Sequence, residues 1–173
     1  ASRADRSAEH RQRLLERALS LDPSRLEIFE RLGEVYERTD QTDKAVATWE
    51  ALAERCRLTG NLSRALDALD RLNRLLPERD DIAEQRAKLM LALGRTDESA
   101  KVFERLAARA MESSKIDRAE NHLRHLCSCC PCDARAHLHL MDLLEESGRV
   151  SDAASVGEQF LARASNEMPP DQH

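Results

Sequence analysis

Four cysteines, Cys127, Cys129, Cys130 and Cys132, fall on one short segment, flanked by His122, His125, His137 and His139. Thiolate and imidazole are the ligands that zinc prefers, set at the corners of a tetrahedron and often arriving as Cys-x2-Cys pairs. Cys127 with Cys130, and Cys129 with Cys132, have that spacing, but the two pairs interleave. One backbone segment cannot aim all four thiolates at a single ion. Cys127, Cys130, Cys132 and His137 are the candidates for a metal, and a thiol-redox site on the same turn is the related alternative. The plainer reading makes Cys129 a small apolar core residue, because it takes the place of Leu21 and Leu75 in the repeat set out below. On that reading the chain uses no metal and no cofactor. Cys56 also falls at a core position. The five cysteines are an odd number, and a helical chain needs no disulfide staple, which fits a reducing, cytoplasmic setting.

Carboxylates form the second cluster. Glu27, Glu30, Glu34 and Glu37 recur at steps of three and four, so a helix would carry them on one face. Glu50 and Glu54 follow at an equivalent spacing. Such a stripe would steer a basic segment of another protein toward it. The competing reading is a charged helix face that only keeps the chain in solution. No partner that would shift a pKa accompanies these carboxylates, so they do not read as acid–base catalysts. There is no Gly-rich phosphate loop, no nucleophile elbow and no His-Glu-x-x-His pair. The net charge of −5 and the 3% aromatic content speak against nucleic acid, which asks for a basic surface with stacking rings. No apolar run approaches the roughly 18 residues a membrane span requires. The chain starts at Ala1, which suggests a processed form or an excerpt of a longer one.

The elements that position these residues follow from a repeat. Pro23, Pro77 and Pro131 are spaced 54 residues apart. The same step relates Leu15, Leu69 and Leu123, then Trp49, Phe103 and Gly157, then Leu52, Leu106 and Phe160. Each unit reads as three helices. The apolar period and the breakers predict helices at 7–21, 25–38, 43–59, 62–75, 79–93, 97–113, 116–130, 133–147 and 151–165. Proline ends the first, fourth and seventh. Gly60, Gly94 and Gly148 sit where a left-handed residue closes a helix. Asp97 and Ser151 suit helix starts. Connections this short make neighbouring helices antiparallel. The pattern predicts one all-α domain over 1–165, an α-solenoid of about nine antiparallel helices, and an unstructured tail over 166–173.

These residues resemble the tetratricopeptide repeat (TPR), whose signature runs from a large apolar residue through Leu-Gly and Tyr to Ala, an aromatic and Pro. Phe29, Leu32, Gly33 and Tyr36 carry it, followed by Ala45 and Trp49. Further matches run through Leu52, Ala53, Ala65 and Pro77, and through Phe103, Leu106, Ala107, Ala119 and Pro131. The resemblance implies a right-handed superhelix that binds other proteins without chemistry of its own, as a scaffold or adaptor. It also implies that the first helix of each pair lines the groove. The carboxylate clamp of the chaperone-binding members needs Lys and Asn where this chain has Glu30, Glu34, Glu50 and Glu54, so that mode does not carry over. The partner expected is a protein or peptide with a basic segment, on Glu27, Glu30, Glu34, Glu37, Glu50 and Glu54. Because Val156, Phe160 and Leu161 leave the last helix apolar, a homo-oligomer built through open ends is a further expectation.

Overall fold

Prolines and tight left-handed turns cut the chain into helices. The computed structural model describes residues 3–167. They form α1 (Arg3–Leu21), α2 (Leu26–Arg38), α3 (Thr42–Leu58), α4 (Leu62–Leu75), α5 (Asp80–Ala92), α6 (Thr96–Glu112), α7 (Ile116–Cys129), α8 (Ala134–Glu146) and α9 (Val150–Glu167). No strand occurs among the described residues. The interior boundaries fall within a residue or so of those the sequence predicts. The outer ends differ more: α1 begins at Arg3, and α9 continues to Glu167, into the stretch expected to be a tail. The rest of that expected tail, 168–173, lies outside the described residues.

The turns show why the helices stop. At Asp40, Gly60, Ser114 and Gly148 the backbone takes a positive φ of 54° to 75°. There the next amide reaches back along the helix: Asn61 N donates to Cys56 O at 2.8 Å, and Lys115 N to Ala110 O at 2.9 Å. These six-to-one bonds define Schellman endings and satisfy carbonyls that the helix itself leaves open. Glycine marks two of these four, and Gly94 is left-handed as well at a φ of 77°, whereas Asp40 and Ser114 bear the strain of a side chain in the left-handed region. The helix starts differ from expectation. Arg95 takes the N-cap of α6, and Asp97 lies in its first turn, where a carboxylate favours the helix dipole. Of the N-caps from α2 to α8, only Asp133 accepts a side-chain bond, from Arg135 N at 2.9 Å.

The chain divides into two compact units, Ala1–Leu93 and Gly94–His173. In each, every helix packs on its neighbour in sequence. The first unit is organised around Phe29, Leu32, Trp49, Leu52, Leu69, Leu72 and Ile82. The second buries Phe103, Leu106, Leu123, Leu140 and Leu144.

Small and large residues alternate across the helix pairs. Gly33 on α2 admits the indole of Trp49 on α3 so closely that a Cβ there would lie 2.6 Å from Trp49 Cε2. One hundred and eight residues on, two repeat lengths, the pair is inverted. Met141 on α8 supplies the bulk and Gly157 on α9 the space, with a Cβ at 157 falling 3.2 Å from Met141 Cε. Either order fills the junction, which is what close packing demands.

Candidate partner-binding face

The acidic face begins with the way α2 is amphipathic. Phe29, Leu32, Gly33, Val35 and Tyr36 turn inward and are buried. That leaves Glu27, Glu30, Glu34 and Glu37 on the outward side, beside α4. Two arginines of α4, seven residues apart and therefore on one face, lie against them. Arg64 pairs with Glu27 at 3.1 Å and with Glu30 at 3.4 Å. Arg71 pairs with Glu34 at 3.7 Å and with Glu37 at 3.4 Å. Glu37 is held twice, since Trp49 Nε1 donates to its other oxygen at 2.7 Å. The guanidinium of Arg71 also lies over the Trp49 ring, 5.6 Å from its centroid.

Glu50 and Glu54 lie elsewhere. They are on α3, beside α5, so the six carboxylates form two faces. Glu50 pairs with Arg79, which sits at the start of α5, at 2.7 Å, and Arg79 is held in addition by Asp81 at 2.6 Å. Glu54 pairs with Arg57 of its own helix at 2.7 Å. Hydrogen bonding from Arg57 holds the Glu54 carboxyl below its usual range. The carboxyl of Glu27 is lowered too, first by its own backbone N–H and then by Arg64. The sequence reading found the acids and missed their partners. Their signal was present: Glu27 to Arg64 and Glu34 to Arg71 share one separation of 37 residues.

Each face has a groove. The one between α2 and α4 has a volume of 430 Å³, with Trp49, Leu52 and Ala68 in its floor and Glu30, Glu34, Arg64, Asp67, Asp70 and Arg71 around it. The one between α3 and α5 has a volume of 440 Å³ over Ala53, Leu69, Leu72, Ile82 and Leu89, with Glu50, Glu54, Arg57 and Arg79 at its rim.

The cysteine cluster is dispersed by the end of α7. Cys127 and Cys129 are buried, Cys130 is half-buried and Cys132 is exposed, and none of the five cysteines is in a disulfide. Burial pushes the Cys127 thiol up to about 11, away from the thiolate a metal or an oxidant would need. Cys129 Sγ lies 3.6 Å from Ser99 Oγ. His137 is buried, with Nδ1 2.8 Å from the Asp133 carbonyl and its ring against Phe160. Among the described residues, no three His, Cys, Asp or Glu side chains converge as a metal-binding group. No described helix is long and apolar enough to cross a membrane.

The class that this stack of amphipathic helix pairs defines is the helical-repeat protein. The tetratricopeptide repeat family matches residues 28–59, which fall on α2 and α3, and the described residues form an all-α helical repeat. No curated protein matches the sequence. Among solved structures, MamA from Desulfovibrio magneticus RS-1 is similar, at 13% identity and a TM-score of 0.40, over 94% of this chain and 97% of that one. A tetratricopeptide repeat protein from Parabacteroides merdae shares 16% identity at a TM-score of 0.31, over 96% of this chain and 76% of that one. BtubC from P. vanneervenii shares 14% identity at a TM-score of 0.34, over 100% of this chain and 96% of that one.

Proposed function

We propose that the chain is a non-catalytic protein-interaction module whose first unit receives a segment of a partner protein in the groove between α2 and α4. The observation that supports this is the state of Glu30 and Glu34. Their arginine partners stand 3.4 Å and 3.7 Å away, too far for strong charge-assisted bonds. The two carboxylates therefore keep lone pairs directed at a groove with an indole in its floor. A lysine or arginine from a partner would gain two acceptors there. Net attraction is modest, because Arg64 and Arg71 already offset the acids. Trp49 and Leu52 are 3% and 1% exposed, so the floor offers little area to an apolar anchor, and charge sets orientation and on-rate.

The test is selection of a random peptide display library on the chain. Recovered sequences should share a basic residue. The Glu30→Lys/Glu34→Lys variant should bind those peptides at least about tenfold more weakly, since it places like charges across the contact, with its helical signal unchanged. Equal affinity in that variant would refute the assignment of this groove. The groove between α3 and α5 supports a second reading. Its floor is more apolar, and its rim acids, Glu50 and Glu54, are held by closer arginines. Peptides docking there would be apolar and indifferent to the same double reversal.

A further inference from the structure

The two ends of the repeat array carry matching halves of an interface that the first unit already contains. In the 54-residue register, α8 and α9 are the counterparts of α2 and α3, and α1 is the counterpart of α4. The start of α2 is likewise the counterpart of the start of α5. Between α2–α3 and α4–α5 three arginines form ion pairs: Arg64 with Glu27 and Glu30, Arg71 with Glu34 and Glu37, and Arg79 with Glu50. The first set does not recur at the ends, where His10, Arg135 and Leu138 hold the equivalent positions, but the other two do. Two repeat lengths on, the acids recur as Asp142, Glu145 and Glu158. One repeat length back, the bases recur as Arg17 and Arg25. Asp142, Glu145 and Glu158 are exposed and enter no ion pair among the described residues, and Arg17 is exposed as well. Arg25 pairs with Asp22, locally, at 2.9 Å, and lies near Glu27. Arg79 has the same kind of local partner in Asp81 and still reaches Glu50.

Apolar residues follow the same logic. Leu14 on α1 is 55% exposed, whereas its counterpart Ala68 on α4 is 1% exposed. Leu161 on α9 is 64% exposed, whereas its counterpart Ala107 on α6 is 2% exposed. Each end thus presents, uncovered, the side that interior copies bury.

We propose that a second copy of this chain docks head to tail, its α1 and the start of its α2 seated on α8 and α9 as α4 and α5 sit on α2 and α3. Arg17 of one copy then meets Asp142 and Glu145 of the other, and Arg25 meets Glu158. Leu14 and Leu161 are covered in the same step. Leucine stands at 161 where the template has Ala53, so this seam is wider than the interior one. Because the two surfaces differ, a docked pair leaves one surface of each kind for the next copy, and copies add in series. This proposal is independent of the groove between α2 and α4.

The test is the mass of the chain measured by sedimentation against concentration. Wild type should grow in average mass without a plateau at the dimer. Glu158→Arg should shift the midpoint upward by about tenfold, as should Arg25→Glu, each placing like charges across the seam. The variant with both changes should return to within about threefold of wild type, because the pair is restored in reversed order. Circular dichroism of each variant keeps a folding defect distinct from a lost contact. A chain that stays monomeric up to about 1 mM, where even weak contacts populate, overturns the proposal. So does a closed dimer, or association that both single reversals leave unchanged.

Discussion

At the scale of single residues, the clearest lesson is the trade of volume between Gly33 and Trp49 and between Met141 and Gly157. Both glycines are helical, and replacing glycine by alanine in a helix gains about 1 kcal/mol of intrinsic preference. Their surroundings decide the sign. At Gly33 the new methyl would meet a rigid indole held by a hydrogen bond to Glu37. Gly33→Ala should therefore lower stability by about 1–2 kcal/mol, overpacking outweighing propensity. At Gly157 the neighbour is the flexible end of Met141. Gly157→Ala should be neutral or stabilising by up to about 1 kcal/mol. Urea titration of the two variants reads the difference, and equal effects would remove the volume argument. The sequence announced Gly33 through the family pattern. It gave no sign that Met141 and Gly157 are the same junction inverted, because a departure from pattern looks like a lost position until its partner is located. The same holds for Glu27, Glu30, Glu34 and Glu37. Their helical spacing was legible at once, while Arg64 and Arg71 belong to another helix and needed the fold to bring them near.

At the scale of elements, α1 is attached differently from the rest. None of its described side chains is fully buried. Leu15 and Leu19 reach the core only in part, and a polar clasp supplies the remainder. Tyr36 OH donates to Glu16 Oε1 at 2.8 Å, Gln12 Nε2 to the same oxygen at 2.9 Å, and Gln41 Nε2 to Gln12 Oε1 at 2.8 Å. Burial, with the Glu16 carboxylate beside it, pushes the Tyr36 phenol up to about 12. A raised folded-state pKa means the contribution is whole below the unfolded value near 10 and is lost as pH climbs through the folded one. Hydrogen exchange in α1 should accordingly accelerate between about pH 10 and 12 relative to α2 and α3. Tyr36→Phe should weaken the docking of α1 by about 1 kcal/mol at neutral pH and flatten that alkaline loss. An unchanged alkaline profile in the variant would place the sensitivity elsewhere. Helix positions themselves were readable from proline, glycine and apolar period. The ends before Asp40 and Ser114 were legible too, at 38 and 113, but the left-handed turns there were not, because neither residue is glycine and the six-to-one hydrogen bond that closes each is made by backbone atoms.

At the scale of the whole molecule, the chain is two compact units, each with its own core. The 54-residue register runs through both without a break, which is why the sequence suggested one array over 1–165. Periodicity reports which residues are equivalent and is silent on how contacts partition. Leu52 is 1% exposed at the centre of the first core. Leu52→Ala should cost about 2–5 kcal/mol. Amide protection should fall first in α2, α3 and α4, and loss confined to α6–α9 would contradict the division. Function was legible only as a class. The family pattern points to protein binding as that class. A partner is selected by the surface between the repeat positions, and that surface became readable only when the ion pairs were seen.

The Schellman turns have a practical consequence. A Cβ built at Gly60 or Gly148 meets nothing within 4 Å, and backbone atoms alone close each bend. An exchange that tolerates a left-handed φ, such as Gly60→Asn, therefore has room and leaves intact the backbone bond that steers the chain into the next helix, whereas an insertion at the same point would part its donor from its acceptor.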